Sequence, residues 1–123
     1  MGRILIIEDQ PELLSDLLLI LELEGYEVEG ASTGQEGVQL AFATPPNLIL
    51  CDFLLPDING LDIVRQLRED PCTEKTPVIF ITAIADPALH QACLSAGAIY
   101  VFEKPFAVEK LLETIRSAIQ SSA

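Results

Sequence analysis

Leu48-Ile49-Leu50-Cys51-Asp52 is a continuous apolar run closed by a carboxylate, one of four runs that each end on a reactive or charged side chain. Ile4-Leu5-Ile6-Ile7 ends on Glu8-Asp9, Val78-Ile79-Phe80-Ile81 on Thr82, and Tyr100-Val101-Phe102 on Glu103-Lys104. Short runs without polar alternation suit strands buried on both faces, the condition of a parallel sheet covered by helices. The carboxyl ends of parallel strands share one edge, so carboxylates, a hydroxyl and an ammonium converge there. Such a set suits magnesium-assisted phosphorylation of an aspartate.

Working outward, apolar runs alternate with helix-like stretches five times, the pattern of a doubly wound α/β fold. Strands are expected at about Arg3 to Ile7, Tyr26 to Ala31, Leu48 to Cys51, Val78 to Ile81 and Tyr100 to Phe102. Pro11 suits a first helical position and Gly25 a C-terminal cap, which bracket the leucine-rich first helix. Thr33 and Glu36 have capping-box spacing for the second helix. Asn59-Gly60 opens the third, and Asp86-Pro87 and Gly97 bracket the fourth. The fifth places Val108, Leu111, Leu112, Ile115 and Ile119 on one face, a period that docks on a sheet. Gln120 to Ala123 reads as a tail.

Asp52, at the end of a buried strand, is the candidate nucleophile, since a carboxylate can attack a phosphoryl group and form an acyl phosphate. Its ordinary reading is a turn cap. Glu8 and Asp9 change the balance. In a sheet ordered 2-1-3-4-5 the first strand lies beside the third, which brings two further carboxylates toward Asp52. Clustered anions cost stability unless a cation or proton joins them, and a hard cation with oxygen ligands, magnesium foremost, resolves the conflict. The ordinary reading of Glu8-Asp9 is N-capping of the first helix. Lys104 supplies a compact charge for a phosphoryl oxygen, and Thr82 a hydroxyl that donates to another.

The 123 residues fit one domain spanning 1–123. Nineteen acidic residues against seven basic ones give a formal charge of −12, which argues against nucleic acid or an anionic membrane as direct partners. No apolar stretch approaches the roughly 20 residues that span a bilayer, and a cytoplasmic protein is expected. Cys51, Cys72 and Cys93 are odd in number and widely spaced, so structural thiols are expected rather than disulfides or a zinc site.

With these residues in place, the whole chain resembles the receiver domain of bacterial two-component response regulators. The resemblance rests on Ile7-Glu8-Asp9, Cys51 through Gly60, Ile81-Thr82-Ala83, Gly97-Ala98 and Lys104-Pro105-Phe106. It implies a flavodoxin-like fold of five parallel strands and five helices. It further implies that Asp52 takes phosphate from a histidine kinase or a histidine phosphotransfer protein. Asp9, Asp52 and the backbone carbonyl of Leu54 would bind magnesium, with Glu8 assisting through water, and the Lys104-Pro105 bond would be cis. The domain is then a signalling switch that catalyses its own phosphorylation and dephosphorylation, not a turnover enzyme. It stands alone or forms the N-terminal part of a longer regulator with an output domain, and its fourth and fifth helices are open to a phosphorylation-dependent homodimer.

Two departures from the family pattern involve three positions. The aromatic residue usual three positions before the lysine is Val101 here, while Tyr100 and Phe102 should face the opposite side of the sheet. Thr82 movement is therefore expected to travel through the Ile84 to Pro87 loop and the fourth helix. The positions two after the aspartate and two after the threonine, Leu54 and Ile84, are apolar, which implies slow self-dephosphorylation. Leu19 and Leu23 form a separate apolar pair on the first helix, a candidate surface for a phosphotransfer partner. His90 reads as a solvated surface residue without chemistry.

Rival functions fit less well. A flavodoxin-like cofactor binder needs a phosphate cradle after the first strand, where Glu8-Asp9-Gln10-Pro11 would repel phosphate. An aspartate-nucleophile phosphatase needs an acid where Leu54 stands. A pseudo-receiver, binding partners without phosphorylation, usually lacks part of the acidic pair, aspartate or lysine, and all are present.

Overall fold

The computed structural model describes residues 2–121. Strands β1 (Arg3–Ile7), β2 (Glu27–Ala31), β3 (Leu48–Asp52), β4 (Val78–Thr82) and β5 (Tyr100–Glu103) alternate with helices α1 (Pro11–Leu23), α2 (Gly34–Ala43), α3 (Gly60–Arg68), α4 (Pro87–Ser95) and α5 (Val108–Ser121). All pairings are parallel, in the order β2-β1-β3-β4-β5, as the sequence implies.

The period of two along each strand divides the core between the sheet's two faces. Leu5, Ile7, Ile49, Cys51, Val78 and Phe80 pack with Val38 and Ala41 of α2, Ile63, Val64 and Leu67 of α3 and Cys93 of α4. Their neighbours in the strands, Ile4, Ile6, Leu48, Leu50, Ile79 and Ile81, pack with Leu17 and Leu21 of α1 and Leu111 and Ile115 of α5. Each fully buried Leu, Ile or Phe contributes about 1.5–3 kcal/mol by leaving water. Two continuous apolar layers thereby hold the polar strand ends on one rigid edge.

Helix punctuation is largely as read. Pro11 starts α1, and Gly25, at φ 98°, takes the left-handed position just past its end. Thr33 accepts from the Glu36 amide at 3.2 Å, but the Glu36 carboxylate reaches the Ser32 amide at 2.9 Å instead of that of Thr33, so the box is offset by one residue. Asn59 and Asp86 cap α3 and α4 through the amides of Asp62 and Ala88, at 3.0 Å each. Gly97, at φ 113°, follows α4.

Several expectations are corrected. Tyr26 lies outside β2, packed against the α1 and α5 side. β3, β4 and β5 run one residue further than read, so Asp52 and Thr82 are the last residues of their strands and keep ladder geometry. Val108 is exposed at the start of α5, where the helix has not yet reached the sheet. Gln120 and Ser121 belong to α5 and not to a tail, and the rest of the expected tail, Ser122 and Ala123, lies outside the described residues. Cys51 and Cys93 are core thiols, whereas Cys72 is exposed in the α3–β4 connection. No helix among the described residues is long and apolar enough to cross a membrane.

Candidate functional site

Asp52 terminates β3, the central strand, and its side chain is almost fully enclosed. One carboxylate oxygen accepts from the Leu54 amide at 3.2 Å, and the other from Lys104 Nζ at 3.0 Å. The Leu54 amide thus gives Asp52 the turn-capping bond of its ordinary reading, and Lys104 sets a positive charge beside the same carboxylate.

Glu8 follows β1 and is 0% exposed. Its Oε2 accepts from the Gln10 amide at 3.0 Å and its Oε1 from Lys104 at 3.1 Å. Burial, first, pushes the Glu8 carboxyl up to about 7; the Asp52 charge adds to the rise, while the Gln10 amide and Lys104 oppose it. Asp9, next along the chain, is exposed. The N-cap position of α1 belongs to Gln10, which makes no side-chain cap bond, so capping does not account for the acidic pair. Oxygens of Glu8, Asp9 and Asp52 all lie within 4.8 Å of one another. Octahedral magnesium, with ligands about 2.1 Å away, spaces its oxygens by about 3–4 Å, so this donor set fits a hard divalent ion.

Lys104 enters from the segment after β5. Its amide donates to the Thr82 carbonyl at 2.8 Å, the Lys104-Pro105 peptide is cis, and Nζ reaches Asp52, Glu8 and Gln10 Oε1, the last at 3.3 Å. Burial would lower the Lys104 ammonium, but its hydrogen bond to Asp52 and that carboxylate's charge, with the same contributions from Glu8, outweigh it and hold the group above its ordinary value. Thr82, buried at the end of β4, accepts from the Ile84 amide at 3.1 Å.

Sequence reading missed two residues here. Gln10 joins the Lys104 acceptors. Asp57 anchors the loop after β3, accepting from the Gly34 and Gln35 amides at 2.9 and 2.8 Å and so capping α2 from another loop. Burial acts to raise the Asp57 carboxyl, but these and neighbouring amides hold it below its ordinary value. A short bridge between Leu54 and Asn59 closes the same loop.

The departures also have a place. Val101 packs with the α2, α3 and α4 side, while Phe102 lies in the opposite cluster with the Tyr100 ring tilted against it, centroids 4.5 Å apart, as alternation requires. Leu54 is exposed and Ile84 half-buried. Leu19 and Leu23 are 56% and 76% exposed. His90, expected in solvent, is instead half-buried, with Nε2 3.2 Å from the Ile84 carbonyl.

A doubly wound parallel sheet with an acidic, lysine-bridged strand edge defines the flavodoxin-like class to which receivers conform. The sequence pattern of the response regulator receiver domain matches residues 4–116, and this chain belongs to that family. It is 41% identical over 120 residues to the response regulator ArlR of Staphylococcus saprophyticus, covering 98% of this chain and 53% of ArlR. With the DNA-binding dual master transcriptional regulator RpaA of Synechocystis it shares 38% over 121 residues, 98% of this chain and 50% of RpaA. The chain thus spans about half the length of these curated relatives. Among solved structures, a CheY-like receiver domain from Methanospirillum hungatei superposes with a TM-score of 0.91 at 33% identity, over 98% of this chain and 95% of that one. The chemotaxis response regulator CheY4 of Vibrio cholerae gives 0.89 at 28%, over 96% and 98%.

Proposed function

We propose that Asp52 accepts a phosphoryl group from a histidine kinase or histidine phosphotransfer protein, with Mg2+ bound by Asp9, Asp52 and the Leu54 carbonyl and assisted by Glu8. The observation that carries this reading is Lys104 Nζ within hydrogen-bond distance of both Asp52 and Glu8, beside three carboxylates whose oxygens approach within 4.8 Å. A carboxylate oxygen of Asp52 forms the new bond to phosphorus as the bond to the donor nitrogen breaks. The ion, when bound, offsets the negative charge of the phosphoryl oxygens. Lys104 holds one phosphoryl oxygen by charge, and the Thr82 hydroxyl donates to another. The Leu54 amide keeps the nucleophile oriented.

The transfer exchanges one carboxylate charge for about two phosphate charges, and this excess draws Thr82 and Lys104 inward. The surface from the segment after β4 through α4, β5 and α5 then changes. Leu94, Ile99 and Tyr100, exposed on that side, supply an apolar face for a partner or a second phosphorylated copy. Any contact with nucleic acid belongs to an attached output domain, since this domain carries a formal charge of −12.

Intact mass after incubation with a small-molecule phosphodonor tests the reading. A phosphate adduct is expected in the presence of Mg2+, absent without it and absent in Asp52→Asn. Folded, metal-binding protein that gains no adduct would instead make the domain a phosphorylation-independent interaction module.

A further inference from the structure

We propose that His90, the single histidine of the chain, is a positioning residue for the Asp52 site, holding the segment after β4 in its unphosphorylated arrangement through the peptide of Ile84. This inference rests on the reading of Asp52 as phosphoacceptor.

Ile84 is held through both of its backbone polar groups, which lie in the two peptide planes on either side of its Cα. Its N–H donates to Thr82 Oγ1 at 3.1 Å, and its carbonyl lies 3.2 Å from His90 Nε2. A carbonyl only accepts, so Nε2 carries the proton and Nδ1 does not need one. His90 sits in the first turn of α4, with its backbone amide bonded to the Asp86 carbonyl at 3.0 Å and its side chain 23% exposed. The same Nε2 lies 3.7 Å from Glu103 Oε1. Glu103 is the register partner of Thr82 and the residue before Lys104. One ring therefore touches the loop leaving β4 and the strand that delivers Lys104.

A hydroxyl donates and accepts at once, so Thr82 disturbs this arrangement only if reaching a phosphoryl oxygen on Asp52 carries Oγ1 away from the Ile84 amide, and that displacement is the premise of the proposal. Such a displacement withdraws the acceptor from the Ile84 amide, while the carbonyl of the same residue, in the next peptide plane, remains tethered by His90. The loop follows Thr82 only when that second bond breaks. The tether thus favours the resting state and passes the displacement of Thr82 to α4. Val101, packed on the α4 side and lacking a ring, offers no rotating aromatic to do this.

Beryllofluoride with Mg2+, as a phosphoryl mimic, tests the proposal on the whole chain. With one histidine, the imidazole 15N spectrum reports on His90 alone. In the resting protein it should show the Nε2–H tautomer with a protected proton, and that protection should be lost on saturation with the mimic. His90→Phe should bind beryllofluoride about 5-fold more tightly, the worth of one neutral hydrogen bond. His90→Gln, which keeps a donor at similar reach, should restore wild-type affinity. An imidazole spectrum unchanged at saturation overturns the proposal, as does a folded His90→Phe protein with wild-type affinity. Should that variant fail to fold, the wild-type ring spectrum alone decides. Failure of the wild type to bind the mimic more tightly than Asp52→Asn would overturn the phosphoacceptor reading as well, which separates the two failures.

Discussion

Glu8→Gln should stabilise the metal-free protein at neutral pH while weakening its hold on Mg2+. The Glu8 carboxyl moves from 4.5 to about 7 on folding, so the folded state binds the proton more tightly than the unfolded one. Between those two values the native state carries more protons, and stability falls as pH rises. The full shift is worth about 3 kcal/mol at roughly 1.4 kcal/mol per unit. Integrating the linkage gives a cost of about 1 kcal/mol at pH 5.5 and about 3 kcal/mol at pH 7.5. Glutamine keeps an acceptor for Lys104 and removes the charge, so the variant escapes this slope at the loss of a good partner for the Gln10 amide. Urea unfolding in chelator, from pH 5.5 to 8, should show the stability difference between variant and wild type growing by about 2 kcal/mol and levelling off above about pH 7.5. Millimolar Mg2+ should then stabilise the wild type more than the variant, because binding is coupled to loss of the Glu8 proton. A difference that stays flat across this pH range would refute the assignment of the strain to Glu8.

Two further outcomes follow from local geometry. Leu54→Asn and Ile84→Ser place hydrogen-bonding groups at the apolar positions flanking the site, and together they should speed loss of the Asp52 phosphate by about tenfold, a barrier change of about 1.4 kcal/mol; the decay of the mass adduct measures this, and equal half-lives would refute shielding by the two side chains. Gly60→Ala would set a Cβ 2.5 Å from a Phe80 ring carbon and 2.8 Å from one of Phe53, two rings packed edge to face with centroids 5.7 Å apart. It should cost about 1–3 kcal/mol through overpacking, read as a lower midpoint in a denaturant titration.

The strand edge was legible in the sequence because parallel topology alone brings the ends of β1, β3, β4 and β5 together, whatever the intervening loops do. Glu8, Asp9, Asp52, Thr82 and Lys104 could therefore be grouped before any contact was known. The residues that escaped notice owe their roles to loop geometry. Gln10 meets Lys104 across 94 residues, and Asp57 caps a helix that begins 23 residues earlier in the chain, whereas capping patterns look only to the residues just before a helix. His90 follows Pro87-Ala88-Leu89 in the first turn of α4, and its partner is a backbone carbonyl, which leaves no mark in the sequence. Val108 fits the apolar period of α5 yet is exposed, because periodicity assigns a face and does not say where along the helix the sheet ends.

The charge arrangement links the site's cost to its use. By formal count the three carboxylates and Lys104 sum to −2, and near pH 7 the Glu8 carboxyl is about half protonated, so without a metal the site relieves its own repulsion by holding a proton. A divalent ion bound there would do the same work better and would compete with the proton for Glu8. Burying Glu8 beside Asp52 costs about 3 kcal/mol out of the roughly 5–15 kcal/mol that stabilise a domain, and removing the acid to recover it would also remove the bias toward binding a cation. The two apolar layers beneath the edge make that cost tolerable, since they fix the strand ends regardless of the charges at their tips. On the proposed function, phosphorylation of Asp52 would restore an anionic excess, and the neutral hydroxyl of Thr82, buried at the end of β4, would be the donor that moves toward it. The strand ends that carry the charges are seated on these two layers, whereas Ile84, in the segment after β4, is held through its backbone by two single hydrogen bonds.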